Sequence, residues 1–208
     1  MKKFLFFISI FSFTVTIIQA QTAKEWLEKV NNTYQEIPTY YIKFTLKDPN
    51  FSKVETGEVY ASKDRYSLDI IGIKQIYDGK SLFTVSKEDK EVTISNPKPD
   101  SDDLFTPTKV LNMYNEGFAL NLGESTMLDG KKVQLVKLTP ISKSNIKYIQ
   151  VAINISDSTL YQYKEFYKNN DTRTVTVKEY IENLIIPRSL FKFDQSKYEK
   201  DGYIVTQL

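Results

Sequence analysis

Alternation of apolar and polar residues with a period of two runs through most of this chain, and it limits the fold more than any other feature. Tyr40, Ile42, Phe44 and Leu46, for example, alternate with more polar neighbours. Because successive side chains of a β-strand point to opposite faces of a sheet, this spacing predicts strands with one apolar and one wetter face. The segments that carry it are 40–47, 57–62, 65–70, 75–77, 82–85, 91–94, 126–128, 133–138, 146–155, 160–167 and 173–180.

The turns between these segments predict antiparallel neighbours. Asp78-Gly79 and Asp129-Gly130 each lie between two strand segments, and Asp-Gly is among the strongest signals for a tight hairpin turn. The tail over residues 185–193 contains Pro187 and is predicted to form a short turn and an edge strand.

Two segments have helical spacing instead. Thr22 and Glu25 form a capping-box pattern, and Pro38 ends the first segment; its apolar residues are Ala23, Trp26, Leu27, Val30, Tyr34 and Ile37. A second helix is predicted to begin at Thr106-Pro107 and to end near Gly117; its apolar face is Val110, Leu111 and Tyr114. Spacing alone leaves open whether the first helix plugs a cavity or packs on an ordinary core.

Ten or eleven short antiparallel strands and two helices predict an α+β fold built on one large sheet. Two helices cannot cover both faces of so wide a sheet, and strongly twisted sheets of this size curl or close. A curled sheet with helices at its mouth encloses an apolar concavity. The pattern does not decide whether that concavity is hollow or filled by side chains.

The N-terminus has the layout of a secretory signal peptide. Lys2-Lys3 precede an apolar run from Phe4 to Ile18, and Ala20 offers a cleavage site. The run is short and interrupted by Ser and Thr, so an uncleaved membrane anchor is the less favoured alternative. The chain contains no cysteine and therefore cannot carry the lipid anchor of a lipoprotein. We expect a signal peptide over 1–20 and a single exported domain over 21–208.

Composition excludes several classes of function. Residues 1–20 hold two lysines and no acid, so their removal leaves 26 basic and 26 acidic side chains. A chain of zero formal net charge lacks the basic surplus typical of nucleic-acid-binding proteins. Without histidine or cysteine there is no Ser-His-Asp triad, no thiolate nucleophile and none of the usual zinc sites. Nothing in the sequence indicates a cofactor or a metal.

A series of short motifs follows the order found in one known family. They are WLEKV at 26–30, YIKF at 41–44, GEVY at 57–60, KDRYSL at 63–68, IYDGKSLF at 76–83, KEVTI at 90–94, TPTKVL at 106–111, EN at 182–183 and FKFD at 191–194. No single motif is specific, but the series covers nearly the whole mature chain. In this order, and after a signal peptide without a lipoprotein cysteine, the chain resembles the LolA family of periplasmic lipoprotein carriers, in a form typical of Bacteroidetes.

The resemblance implies an incomplete, strongly curved antiparallel β-barrel of ten or eleven strands that is lidded by helices. It also implies a non-enzymatic activity, which is carrying the acyl chains of lipoproteins across the periplasm. The implied partners are acylated lipoproteins, an inner-membrane lipoprotein-releasing complex that supplies them, and an outer-membrane acceptor or the membrane itself. We expect the carrier to be a monomer.

The family also has an arginine near the end of its second strand that latches the lid in the empty state. Arg65 and Lys63 both fall near that position. Arg65 is favoured, because a planar guanidinium can bond several carbonyl oxygens at helix ends and an ammonium cannot. The alternative is that Arg65 is a solvated strand residue.

Strand alternation supplies candidates for the wall of an acyl-binding cavity. The wall candidates are Ile42, Phe44, Leu46, Val59, Tyr66, Leu68, Ile70, Phe83, Val85, Val133, Leu135, Ile149, Val151 and Ile153. The lid candidates are Trp26, Val30, Val110, Leu111 and Tyr114. Ordinary core packing is the alternative for each one, and a register error of one residue would turn a strand inside out.

Two other classes of function stay open at this point. A module of the same fold could bind another lipid or a glycolipid, or sense mislocalised lipoproteins for a regulator. An exported hydrolase would need two carboxylates, and Asp69, Glu91, Asp157 and Glu165 lie on predicted strands or turns. They form no recognisable pair and lie in no Gly-rich loop, so solvation is the simpler interpretation.

Overall fold

The computed structural model describes residues 22–98 and 117–208. The predicted signal peptide 1–20 lies outside the described residues. So do most of the predicted second helix and its lid candidates Val110, Leu111 and Tyr114.

Within the described residues, twelve strands form one open sheet. They are β1 (Thr39–Lys47), β2 (Glu55–Ser62), β3 (Arg65–Ile70), β4 (Ile73–Tyr77), β5 (Leu82–Ser86), β6 (Glu91–Ser95), β7 (Phe118–Leu128), β8 (Lys131–Pro140), β9 (Ile146–Asn154), β10 (Leu160–Tyr167), β11 (Thr172–Glu182) and β12 (Ile204–Gln207). Their order in the sheet is β12-β6-β5-β4-β3-β2-β1-β11-β10-β9-β8-β7. β12 runs parallel to β6, whereas β1 to β6 pair with their neighbours in antiparallel fashion, as do β7 to β10 and the pair β1–β11. A large, mainly antiparallel open sheet with few helices confirms the predicted fold class, with one strand more than expected.

The chain divides into two compact units. Of the described residues, unit 1 comprises 22–34 and 117–173, and unit 2 comprises 35–98 and 174–208. In its described part, unit 1 contains strands β7 to β10 and most of helix α1, which covers residues 22–36. Unit 2 contains β1 to β6, most of β11, and the C-terminal segment that ends in β12.

Helix α1 forms where the sequence predicts it. Ala23, Leu27, Val30 and Tyr34 are buried, which confirms the apolar face of the helical pattern. The Tyr34 hydroxyl accepts a hydrogen bond from the backbone N–H of Leu160 at 3.4 Å, so the C-terminal end of α1 lies beside the start of β10. Among the described residues, no helix is long and apolar enough to span a membrane.

Tight turns join several of the strands. Asp129 and Gly130 have φ angles of 48° and 80°, as a type I′ hairpin requires, and they confirm the predicted turn between β7 and β8. In the Asp78-Gly79 hairpin, Asp78 Oδ1 accepts from the backbone N–H groups of Lys80 and Ser81. Ile71 and Gly72 make a further turn between β3 and β4 with φ angles of 52° and 72°.

The C-terminal tail differs from the prediction. The expected edge strand over 185–193 is wrong, because Arg188–Phe191 forms a 3₁₀ helix. A short helix, α2 (Gln195–Lys200), follows it, and its N-cap Asp194 accepts from the backbone N–H of Lys197. The strand at this edge of the sheet is β12, which was not predicted from the sequence.

Candidate functional site

One face of the unit 2 sheet is apolar across β1, β2, β3 and β11, and we call it the Phe44 face. Ile42 pairs with Val59, and Val59 pairs with Leu68. Directly opposite residues of antiparallel strands point to the same side of a sheet, so the register fixes which residues share this face. Its apolar members are Tyr40, Ile42, Phe44, Leu46, Val59, Ala61, Tyr66, Leu68, Ile70, Val175, Val177 and Tyr180.

Phe44 lies close to the backbone of β2. A Cβ atom added at its partner Gly57 would be 2.5 Å from Phe44 Cζ and 3.1 Å from Ile70 Cβ. The ring therefore occupies the space that a side chain at position 57 would need. Leu46 and Ile70, at the same end of the face, are half-buried.

The Phe44 face becomes more polar toward β6. Leu68 pairs with Gln75, Gln75 pairs with Thr84, and Thr84 pairs with Thr93. The hydroxyl of Tyr66 donates to Gln75 at 3.4 Å. The apolar part is thus confined mainly to the strands around β1, with Tyr77 and Leu82 as a buried apolar pair further along.

Phe83 and Val85 do not join the other wall candidates of unit 2. The register places them on the opposite face, which we call the Phe83 face. There the Phe83 ring stacks on Phe193 at 4.5 Å, and Phe193 stacks on Tyr198 at 5.0 Å. The prediction that Phe83 and Val85 share a wall with Phe44 is therefore wrong, because both side chains point to the opposite face. The C-terminal segment covers the surface on which Phe83 lies.

Unit 1 has an apolar face of its own, the Val151 face. Val136 pairs with Val151 and Leu138 pairs with Ile149. Ile153 is on the same side and pairs with Leu160. These six side chains are buried, so the structure brings the candidates Ile149, Val151 and Ile153 together.

Val133 and Leu135 point the other way. They pair with Asn154 and Ala152, and they form a cluster with Ala152 and Tyr161. We call this side of unit 1 the Tyr148 face, because Tyr148 lies on it too. The assignment of Val133 and Leu135 to the same wall as Val151 is therefore corrected by the register of β8 and β9.

A buried polar cluster interrupts the Val151 face. Glu165 pairs with Ile149 and is buried. Its carboxylate accepts a hydrogen bond from the Tyr163 hydroxyl at 3.0 Å and another from the Tyr167 hydroxyl. Arg173 Nη1 lies 3.5 Å from Glu165 Oε2. Burial, followed by the negative charge of Glu165, raises the pKa of Tyr163, so this phenol stays protonated and remains a donor to the carboxylate.

The two latch candidates lie at the turn between β2 and β3. Lys63 is exposed with a φ angle of 49°. Arg65 has 47% of its side chain exposed, and its Nε is 3.9 Å from Oδ1 of its neighbour Asp64. Arg65 pairs with Ser62 and alternates with Tyr66, so it points away from the Phe44 face.

The four carboxylates considered for hydrolysis have different surroundings. Asp69 bonds Lys87 at 2.7 Å on the Phe83 face, whereas Glu91 lies on the opposite face of the same sheet. Asp157 accepts from Thr159 in a turn, and Glu165 belongs to the tyrosine cluster. Within residues 22–98 and 117–208, His, Cys, Asp and Glu do not gather in groups of three that could hold a metal ion.

Several members of the apolar faces are absent from the predicted wall. They are Tyr40, Ala61, Tyr77, Leu82, Val136, Leu138, Leu160, Val175, Val177 and Tyr180. Tyr40 and Ala61 follow the alternation of strands whose other members were chosen, so the sequence contains the signal for them. Val136 and Leu138 could not be separated from Val133 and Leu135 by alternation, because Leu135 and Val136 are adjacent and both apolar.

Solved structures share this fold. An uncharacterized conserved protein from Thermus thermophilus matches with a TM-score of 0.65 and 11% identity, over 90% of this chain and 99% of that chain. MucB of Pseudomonas aeruginosa, solved in complex with MucA, matches with a TM-score of 0.52 and 10% identity, over 83% of this chain and 61% of that one. At these identities the likeness shows the fold alone.

A LolA superfamily protein from Nitrosomonas europaea also matches, with 12% identity over 82% of this chain and 97% of that chain. The TM-score of this match is 0.39. No family model matches the sequence, and the search of curated proteins found no match.

Proposed function

We propose that this protein is an exported carrier that binds the acyl chains of lipoproteins and delivers them from the inner to the outer membrane. It acts by binding rather than by catalysis. The observation that carries the proposal is the Phe44 face, on which apolar side chains of four adjacent strands form one surface. The series of LolA-like motifs supports the same function.

The physical need for such a face follows from the cost of hydrating hydrocarbon. Each methylene exposed to water costs about 0.8 kcal/mol. Three long acyl chains therefore carry a penalty of some tens of kcal/mol, and a lipoprotein cannot cross an aqueous compartment without a partner that buries them. Transfer in one direction then needs a series of increasing affinities from donor to acceptor.

The proposed acyl-binding residues are those that the register brings together. In unit 2 they are Ile42, Phe44, Leu46, Val59, Tyr66, Leu68 and Ile70. In unit 1 the proposed acyl-binding residues are Ile149, Val151 and Ile153 of the Val151 face, and Trp26 and Val30 of α1 are the proposed lid residues. Phe83, Val85, Val133 and Leu135 are not part of the proposal, because they point to the opposite faces.

The proposal includes export to the periplasm. Cleavage after Ala20 leaves a chain that begins at Gln21. Intact-mass measurement of the protein released from the periplasm of its native cell checks this step.

A second candidate function has one observation in its favour. MucB has the same fold and was solved bound to a partner protein, MucA. A sensor that binds lipid or mislocalised lipoprotein and passes the signal to a protein partner would use the same apolar face.

The identity of the bound ligand separates these functions. The protein is purified from its native cell without detergent, and the ligands that copurify are extracted and identified by mass spectrometry. We expect acylated peptides. Free phospholipid or glycolipid alone would favour the second candidate, and a ligand-free protein would contradict both.

A matched pair of variants tests where the ligand binds. Leu46→Asn places an amide on the Phe44 face at a half-buried position, and Thr45→Asn makes a polar change on the opposite side of the same strand. We expect Leu46→Asn to copurify with less acylated peptide, whereas Thr45→Asn keeps it. Equal loading of both variants would exclude the Phe44 face.

A further inference from the structure

The Tyr148 face of unit 1 combines lysines with aromatic rings. Lys137 Nζ lies 4.5 Å from the centroid of the Tyr148 ring, and Lys164 Nζ lies 4.8 Å from that of Phe166. The two rings belong to paired residues of β9 and β10 and stack at 4.3 Å. The result is a layer of two ammonium groups above two stacked rings, and both rings are half-buried, so part of each remains exposed.

A third lysine extends this layer. Lys131 Nζ lies 5.2 Å from the ring of Tyr161, which packs on Val133 and Ala152 of the same face. The hydroxyl of Tyr161 donates to Asp129 at 2.6 Å. Asp129 is in the turn before β8, so its charge lies at one end of the face.

The paired strand positions of this face carry lysines and no acid. Among the described residues that pair across the Tyr148 face in β7 to β10, none is acidic, and the acidic residue of β7, Glu124, lies in the unpaired bulge between Leu122 and Ser125. The Phe83 face of unit 2 provides a contrast, because there Lys43 pairs with Glu58 and Lys87 bonds Asp69 at 2.7 Å. A mature chain of zero formal net charge thus has a local positive surplus on one sheet face.

We propose that the Tyr148 face docks on an anionic lipid surface. Lysine ammonium groups attract anionic headgroups, while their methylene stems and the aromatic rings beneath them suit the boundary between water and lipid. An acidic protein partner would use the charges, but it would not require the partly exposed rings of Tyr148 and Phe166 beneath two of the lysines. This inference stands apart from acyl-chain binding, since the Phe44 and Val151 faces are not involved.

The test is cosedimentation of the mature chain with vesicles. Vesicles of phosphatidylcholine alone are compared with vesicles that also contain phosphatidylglycerol, at low and at high salt. We expect binding only to the anionic vesicles, and weaker binding at high salt because the Debye length falls from ~10 Å at 0.1 M to ~3 Å at 1 M.

Variants locate the contact. Each lysine removed is expected to weaken binding about fivefold, so the double variant Lys137→Gln/Lys164→Gln is expected to bind roughly thirtyfold more weakly. Lys137→Arg/Lys164→Arg keeps the charge and is expected to bind like the unmodified chain. The control Lys43→Gln/Lys178→Gln removes the same charge from exposed strand positions of unit 2 and is expected to leave binding unchanged.

Three results would overturn the proposal. They are equal binding to both kinds of vesicle, no binding to either kind, and an equal loss in the control pair. Binding of a soluble acyl peptide without vesicles is measured on the same variants, and it is expected to be unaffected by the lysine changes. Far-ultraviolet circular dichroism of each variant checks that the sheet is intact.

Discussion

At position 57 the sheet has room for a hydrogen atom and little more, because the Phe44 ring lies over the backbone of β2. Gly57→Ala places a methyl group 2.5 Å from Phe44 Cζ and 2.9 Å from Cε2. We expect a loss of about 1–3 kcal/mol in the free energy of unfolding, measured by urea titration. Adding Phe44→Leu removes both ring atoms and is expected to restore part of the loss. An alanine variant as stable as the unmodified chain would show that Phe44 does not pack here as described.

A second residue-scale prediction concerns Tyr161. Its burial, the hydrogen bond that it donates to Asp129 and the Asp129 charge raise its pKa to about 12. A pKa that folding raises adds stability below the unfolded value near 10, and that stability is lost as the pH rises through 12. We expect Asp129→Asn to lower the Tyr161 pKa and to make unfolding less dependent on pH between 10 and 12. An NMR titration of labelled tyrosine measures the Tyr161 pKa in both proteins. An unchanged pKa in Asp129→Asn would contradict the contribution assigned to Asp129.

A turn between β3 and β4 was not predicted from the sequence. Ile71 has a φ angle of 52°, which is a strained conformation for a β-branched side chain. Ile-Gly is not a turn signal, whereas Asp129-Gly130 is one and was predicted. The ladder between β3 and β4 imposes this turn against the local preference.

At the scale of elements, the positions of the strands could be predicted from the sequence. The face of the sheet to which each side chain points could be predicted only in part. Residues 42–46 and 65–70 alternate without ambiguity, and the structure places their apolar members on one face. In β8, apolar residues stand on both sides of the strand, and a bulge in β7 between Leu122 and Ser125 shifts the register. In a strand with apolar residues at both odd and even positions, alternation cannot determine which set shares a face with the apolar residues of the neighbouring strands.

The structure of the C-terminal segment could be predicted only in part from the sequence. Its aromatic residues form a stack with Phe83, a contact of long range in sequence that no local pattern contains. The cap at Asp194 and the turn at Gly202, with a φ angle of 81°, are local signals that define α2 and lead into β12.

Phe193 should hold this segment to the sheet. Phe193→Ala removes the ring between Phe83 and Tyr198, and we expect a local loss of about 2 kcal/mol. Hydrogen exchange should show faster exchange of the Ile204 amide, which donates to Lys90, while β1 and β2 stay protected. Phe193→Leu serves as the control with a smaller effect. Unchanged exchange in the alanine variant would mean that β12 is held by its ladder with β6 alone.

At the scale of the whole molecule, the sheet faces differ in what they can bind. The Phe44 and Val151 faces are apolar and buried, the Phe83 face is covered in part by the chain's own C-terminal segment, and the Tyr148 face is basic and aromatic. Sequence alone predicted an apolar wall but merged residues from all of these faces into it. Only the strand register separates them.

The central claim is that acyl chains bind on the Phe44 face, and cross-linking tests it most directly. A synthetic acylated peptide with a photoreactive diazirine at the end of one acyl chain is bound to the mature chain and irradiated, and the adducts are mapped by mass spectrometry. We predict adducts on β1 to β3, at residues such as Phe44, Leu46 or Leu68. Adducts confined to the Phe83 face, or a yield no higher than with the Leu46→Asn variant, would contradict the claim.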